Sequence, residues 1–223
     1  MKTKTRALLL TLCAVLLVAA SVFGTMAYLT SDDSVTNTFT VGSVDIKLDE
    51  AKVGENGKKV TPEERVKENA YHLLPGHEYD KDPTVTVLEG SDDAYVRLLV
   101  EARFENVLKN DTLATSLDTI FTGYSVSSWN RVGRTVKNNV TVGEGEDAKT
   151  YGTVIYYEYR YKETVAAPTA DVKLPALFTG IQIPGEWTKE DMAAIGKFDI
   201  HVVANAIQAD GFDNADAAWK AFA

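Results

Sequence analysis

The chain of 223 residues has one cysteine, Cys13, inside the apolar stretch near its start. No disulfide can form within it, and beyond that stretch no thiol exists for a cysteine nucleophile or a cysteine-ligated zinc. Histidine is nearly as scarce: His72, His77 and His201 are all there are. The HExxH helix of zinc proteases is missing. His72 and His77 flank Pro75-Gly76, which stops a helix, so a site made from His72, His77 and Glu78 would have to assemble in a turn. No GxSxG elbow, DxDxDG calcium loop or phosphate-cradling glycine loop occurs. Asp32-Asp33 and Asp92-Asp93 read as solvated turns. No catalytic, cofactor-binding or metal residue is therefore assigned, and no cofactor.

Positive charge is also short. Lys and Arg number 23 against 32 Asp and Glu, a net −9, and three of the basic residues (Lys2, Lys4, Arg6) sit at the start. Without those three the net is −12, which repels phosphate and argues against a nucleic-acid partner. The balance suits a soluble extracellular protein that meets cations or basic wall components, a solvated acidic surface being the simpler reading.

Long apolar runs are confined to Ala7 to Phe23. With the basic residues before it, and with small Thr25 and Ala27 after Gly24, this is the pattern of an export signal cut between Ala27 and Tyr28. An uncleaved anchor is the alternative, since about 20 apolar residues span a bilayer. Residues 1–27 are expected to be a cleaved signal peptide and 28–223 a single domain, long enough for a substantial core without disulfides.

What remains is dominated by alternation. Val35, Phe39 and Val41 lie at odd positions, and Val44, Ile46 and Leu48 at even ones, so Gly42 is expected to absorb a bulge or hinge between two strand segments. Residues 49 to 70 read as an exposed, mobile excursion with a short helix after Thr61-Pro62. Thr84 to Leu88 and Ala94 to Phe104 read as an antiparallel hairpin, the second strand burying Val96, Leu98, Val100, Ala102 and Phe104. The spacing of Val107, Leu108, Ala114, Leu117 and Phe121 predicts a helical insertion, and Trp129 to Asp147 reads as loops and short strands. Tyr151 to Tyr161 is a strand whose tyrosine face is either a sugar-stacking platform or an amphipathic core face. Leu174 to Pro184 reads as an edge or bent strand. Thr188 caps a helix through Ile195. Phe198, Ile200, Val202, Ala204 and Ala206 form the last core strand, and Asp213 or Asn214 caps a final helix carrying Trp219 and Phe222. These elements predict an all-β, antiparallel β-sandwich with short helical insertions.

Gly24-Thr25-Met26-Ala27-Tyr28, an acidic and Thr-rich stretch, Phe39 and Gly42-Ser43-Val44-Asp45-Ile46 together resemble the start of the TasA and camelysin family. Leu74-Pro75-Gly76 followed by Lys81-Asp82-Pro83, and Phe198 to Gln208, resemble its later turn and closing strand. The resemblance implies a jelly-roll-like sandwich, a Gram-positive source, and a signal peptide removed by a dedicated signal peptidase of the endoplasmic-reticulum type. It also implies a secreted, fibre-forming protein of the biofilm matrix. The residues themselves allow this: residues 28–41 form a free, polar, β-prone segment able to add to a neighbour's open sheet edge, with Val35, Phe39 and Val41 as donor side chains. Repetition would be head to tail, a homopolymer of the chain with itself. Folding back onto its own sheet is the simpler fate. Two other readings stand beside this one, a camelysin-like cell-surface metalloprotease and a monomeric surface adhesin using Tyr157 and Tyr159. Leu174 to Gly180 is not an LPxTG sorting signal, so attachment to the cell or to other matrix components is expected to be non-covalent.

Overall fold

The computed structural model describes residues 43–108 and 117–222. Ala27, Tyr28, Val35, Phe39, Val41 and the Gly42 hinge lie outside the described residues. Within them, eleven strands follow in order: β1 (Ile46–Ala51), β2 (Arg65–Val66), β3 (Glu78–Asp80), β4 (Thr84–Val87), β5 (Ala94–Phe104), β6 (Phe121–Thr122), β7 (Trp129–Val142), β8 (Lys149–Tyr161), β9 (Val172–Lys173), β10 (Gly180–Gln182) and β11 (Phe198–Gln208). The described residues also hold two short α-helices, α1 (Lys189–Ile195) and α2 (Ala215–Phe222), and 3-10 turns at Leu117–Thr119 and Gly145–Asp147.

Strand β5 sits at the centre because its alternation is strict. Val96, Leu98, Val100, Ala102 and Phe104 are buried, as the alternation predicts, and Arg97, Glu101 and Arg103 lie on the other face. β11 pairs antiparallel with β5 along all eleven residues, β8 takes the other side, and β7 pairs with β8, giving the sheet order β11-β5-β8-β7. The other strands form the antiparallel sheets β2-β1-β4-β9 and β3-β10-β6. Val85 and Val87 of β4 and Ile181 of β10 meet the inward face of β5 in one core, with Leu177, Phe178 and Ile183 from the connecting segments. The protein is an antiparallel β-sandwich in which consecutive strands pass repeatedly from one sheet to another.

The helix ends follow local chemistry. Thr188 and Asp191 form a reciprocal capping box at α1, and the Asn214 side chain accepts the Ala217 N–H at α2. Trp219 of α2 is buried, and the Arg97 guanidinium lies 4.5 Å from its ring centre, so a cation–π contact joins this helix to β5.

Several expectations are corrected. β4 and β5 are not a hairpin: β4 pairs with β1 and β9, and β5 with β11 and β8. Their valines face one another across the core, so the chain crosses between sheets through residues 88–93 rather than turning back beside itself. No helix follows Pro62; Arg65–Val66 is a short strand against β1. Of the expected helical insertion, the described part holds only a 3-10 turn at Leu117–Thr119, and Phe121 is a buried strand residue. Trp129 to Val142 is one strand of fourteen residues. It lacks alternation because both of its faces are largely exposed, so only its backbone pairing to β8 defines it. β10 is the middle strand of its sheet, not an edge. The tyrosine face of β8 is core: Tyr157 is 2% exposed and Tyr159 5%, so neither can stack on a sugar in this fold.

The largest departure concerns residues 49–70. Asp49 and Glu50 of β1 are buried, as are Lys81 and Asp82, and the excursion folds back over them. Arg65 donates from Nε to Asp49 at 2.8 Å and from Nη1 to Asp82 at 2.9 Å. Lys59 reaches Asp82 at 2.8 Å, and the Ala51 N–H donates to the same carboxylate at 2.6 Å. The segment is therefore clamped by ion pairs instead of being free. Burial alone pushes the Asp82 carboxyl up; the Ala51 N–H, Lys59 and Arg65 outweigh it and hold the group below its ordinary 3.8. At Asp49, too, burial is outweighed by Lys47 and Arg65, with the same net lowering.

Carboxyls lowered on folding stabilise the folded state above their unfolded pKa, and that stability is lost as pH falls through the lowered folded values. The unfolding midpoint in urea should therefore be level around neutrality and drop below about pH 4, with a shallower drop in Asp82→Asn. Arg65→Ala, which takes one cation from each of two buried carboxylates and leaves Asp49 with Lys47 and Asp82 with Lys59, should lower stability at pH 7 by about 2 kcal/mol. A midpoint unchanged in Arg65→Ala would show that the clamp is only decorative.

Candidate functional site

A sheet edge exposes a row of unpaired N–H and C=O groups, and proteins blunt such edges with charge, bulges, brevity or cover. The main sheet has two long edges. β7 carries Arg131, Arg134 and Lys137 with no acidic residue, and its register slips at a bulge between Arg131 and Gly133. It is well protected. β9, β2, β3 and β6 are two or three residues long.

β11 has few of these devices, its one charged side chain being Asp199. Over Phe198–Gln208 it holds no Lys, Arg, Pro or bulge, and among the described residues its only strand partner is β5. Phe198, Ile200, Val202, Ala204 and Ala206 pack against the core yet stay half-exposed, unlike the fully buried face of β5 beside them. Phe198 stacks on Phe104 at 5.2 Å between ring centres, which fixes the start of the strand. The result is an eleven-residue edge whose apolar inner face is incompletely covered.

The second wall is β1. β2 pairs with β1 only at Glu50 and Ala51, so Ile46–Asp49 has its outer edge unpaired among the described residues. Ile46 and Leu48 are half-buried toward the core. β1 and β11 approach within 8 Å, Cα to Cα, but no ladder joins them. Between them lies an open groove of about 710 Å³, continuous past Ile200 with a second of about 630 Å³ that reaches Leu73 and Met192. Two of the charges at its rim are paired: Lys47 to Asp49 at 2.9 Å, and Asp199 to Lys149 at 3.3 Å with a hydrogen bond from the Tyr151 hydroxyl. Burial, reinforced by Arg103, lowers the pKa of His201, so this edge carries a neutral imidazole at pH 7. Chemically, the groove offers backbone pairing, apolar contact from Ile46, Leu48, Ile200 and Val202, and a charged rim.

The side chains singled out for catalysis or metal binding are not assembled here. His77 Nδ1 lies 3.1 Å from the Pro75 carbonyl, and His201 is on β11. Among the described residues no three His, Cys, Asp or Glu side chains converge as a ligand set. Asp93 is more than a solvated turn residue, since its carboxylate accepts the Ala167 N–H at 2.6 Å. No helix among the described residues is long and apolar enough to cross a membrane. The alternation of Phe198 to Ala206 was legible in the sequence, but its edge position was not, because pairing partners are set by topology.

Against known proteins, the chain matches no family model, no curated protein and no solved structure.

Proposed function

We propose that this is a secreted, non-enzymatic structural protein of the extracellular matrix, which assembles into fibres by strand addition. The observation that carries the reading is the contrast between the two long edges of the main sheet: β7 is blunted by three basic side chains and a bulge, while β11 has a continuous register, a half-exposed apolar face and the single charge of Asp199. A strand laid on β11 gains main-chain hydrogen bonds and covers Ile200, Val202 and Ala204, the two gains that strand addition provides.

The donor in this reading is residues 28–41, freed by cleavage between Ala27 and Tyr28, with Val35, Phe39 and Val41 as the side chains that enter the groove. Donor and acceptor are different surfaces, so each subunit uses both once and the assembly propagates as an open filament. The resemblance to the TasA and camelysin family points the same way and brings a dedicated signal peptidase as the partner during export. Histidines that do not converge lend no support to a metalloprotease, and core tyrosines lend none to an adhesin that uses them.

Protein beginning at Tyr28 should form filaments visible by electron microscopy and sediment as polymer, whereas protein beginning at Ser43 should stay monomeric. Filaments from both forms would remove the donor role. Val202→Lys on β11 should reduce sedimenting material at least tenfold with an unchanged circular dichroism spectrum, while Val136→Lys on β7 should leave assembly intact. The reverse pattern would move the acceptor to β7.

A further inference from the structure

Three side chains outside the strand edges make a reactive arrangement. Lys81, between β3 and β4, places Nζ 2.5 Å from Oε2 of Glu50 on β1, and both side chains are 7% exposed. Asn69, in the connection after β2, donates from Nδ2 to the other oxygen of the same carboxylate at 3.0 Å and to the Ala51 carbonyl at 2.9 Å. The Val53 N–H donates to Asn69 Oδ1 at 2.9 Å, so these partners fix the orientation of the amide. The Tyr71 ring screens the lysine, its centre 5.7 Å from Nζ. An amine, a carboxamide and a carboxylate that touches both are thus held together at the wall of the groove, the amine and the carboxylate themselves buried.

We propose that Lys81 and Asn69 become joined by an intramolecular isopeptide bond, with Glu50 as the proton carrier. Within the pair the Lys81 ammonium passes a proton to the Glu50 carboxylate, leaving the neutral amine that acts as the nucleophile. The Nζ lone pair forms a bond to Cγ of Asn69, after the flexible lysine stem brings it to the near-attack distance of about 3–3.5 Å. The Val53 N–H faces the oxygen on which negative charge develops, as an oxyanion donor does. Glu50 gives its proton to Nδ2 and takes one from Nζ; the Cγ–Nδ2 bond breaks and ammonia leaves, carrying off the extra proton as ammonium. The net change is one lysine ammonium and one carboxamide converted to a secondary amide and ammonium. No oxidant, reductant or cofactor takes part.

Release of ammonium to solvent draws the reaction forward. The lysine charge is replaced by a neutral amide, and the Glu50 carboxylate, left without its cation, has that amide N–H in place of the ammonium as a hydrogen-bond donor. The bond ties the segment after β2 to the segment before β4, closing a loop over residues 69–81 beside β1. It is a covalent staple that needs no cysteine and that reductants leave intact.

Intact-mass spectrometry of the folded chain from Tyr28 tests this directly. The wild type should be lighter than its sequence by about 17 Da, one ammonia, and tandem spectra of its digest should contain a branched peptide joining Lys81 to Asn69. Lys81→Arg, which keeps a cation opposite Glu50 and so preserves the fold by circular dichroism, should have its full mass, and so should Glu50→Gln. A folded wild type that keeps its full mass after days at neutral pH overturns the proposal, the three side chains then forming only a hydrogen-bonded ion pair. A loss of the same size that persists in Lys81→Arg overturns it too, because the ammonia then comes from elsewhere.

Discussion

Six apolar side chains on one face of β5 must be buried, and its backbone groups must be paired on both sides because it lies in the interior. Both demands are met by putting β11 and β8 on its flanks and the valines of β4 across from it. The remaining architecture follows. Since β4 faces β5 rather than lying beside it, the chain must change sheets between them, and β8 must leave the main sheet before β9. With β5 and β8 inside, β11 and β7 are left as the edges, and the two edges were given opposite chemistry.

At one end of β1 the alternation gives way to buried charge. Ile46 and Leu48 keep the apolar face, but Asp49, Glu50 and Ala51 are all buried, which no alternating pattern anticipates. The returning segment packs over the strand there and supplies Arg65 to Asp49 and Asn69 to Glu50, while its Lys59 reaches the neighbouring Asp82. Such a cluster adds little stability over apolar packing, since desolvation offsets most of the attraction. What it supplies is geometry: a carboxylate held against one lysine and one amide, and an arginine that specifies where the excursion lands.

The fold class, β5, the last strand and both helix caps were legible because each rests on local information: parity for a strand with one wet face, and a capping side chain at a fixed offset. What was missed depends on contacts distant in the chain. β7 has no buried face to produce a pattern, so WNRVGRTVKNNVTV looked like loop and became a strand only through pairing with β8. Glu63 to Glu68 looked like a solvated charge run, although Arg65 reaches Asp82, 17 positions away. Glu50, Asn69 and Lys81 were unremarkable separately, and no spacing rule unites a strand, a connection and a turn. The tyrosine face of β8 shows a different limit: both readings share one period, and only the sheet above decides which face is dry.

The groove and the triad are neighbours, and their proximity gives the cross-link a mechanical sense within the fibre reading. Glu50, Asn69 and Lys81 all line the larger groove, on the wall opposite β11. A strand added to β11 loads that edge through the ladder to β5, where eleven residue pairs share the force. The opposite wall has only two residue pairs between β1 and β2, supplemented by ion pairs that weaken as acid protonates Asp49 and Asp82. An amide between Lys81 and Asn69 reinforces that weaker wall with a bond that neither acid nor reductant opens under conditions that leave the backbone whole. Covalent closure beside that edge would keep the groove in one shape while the subunit waits for its neighbour.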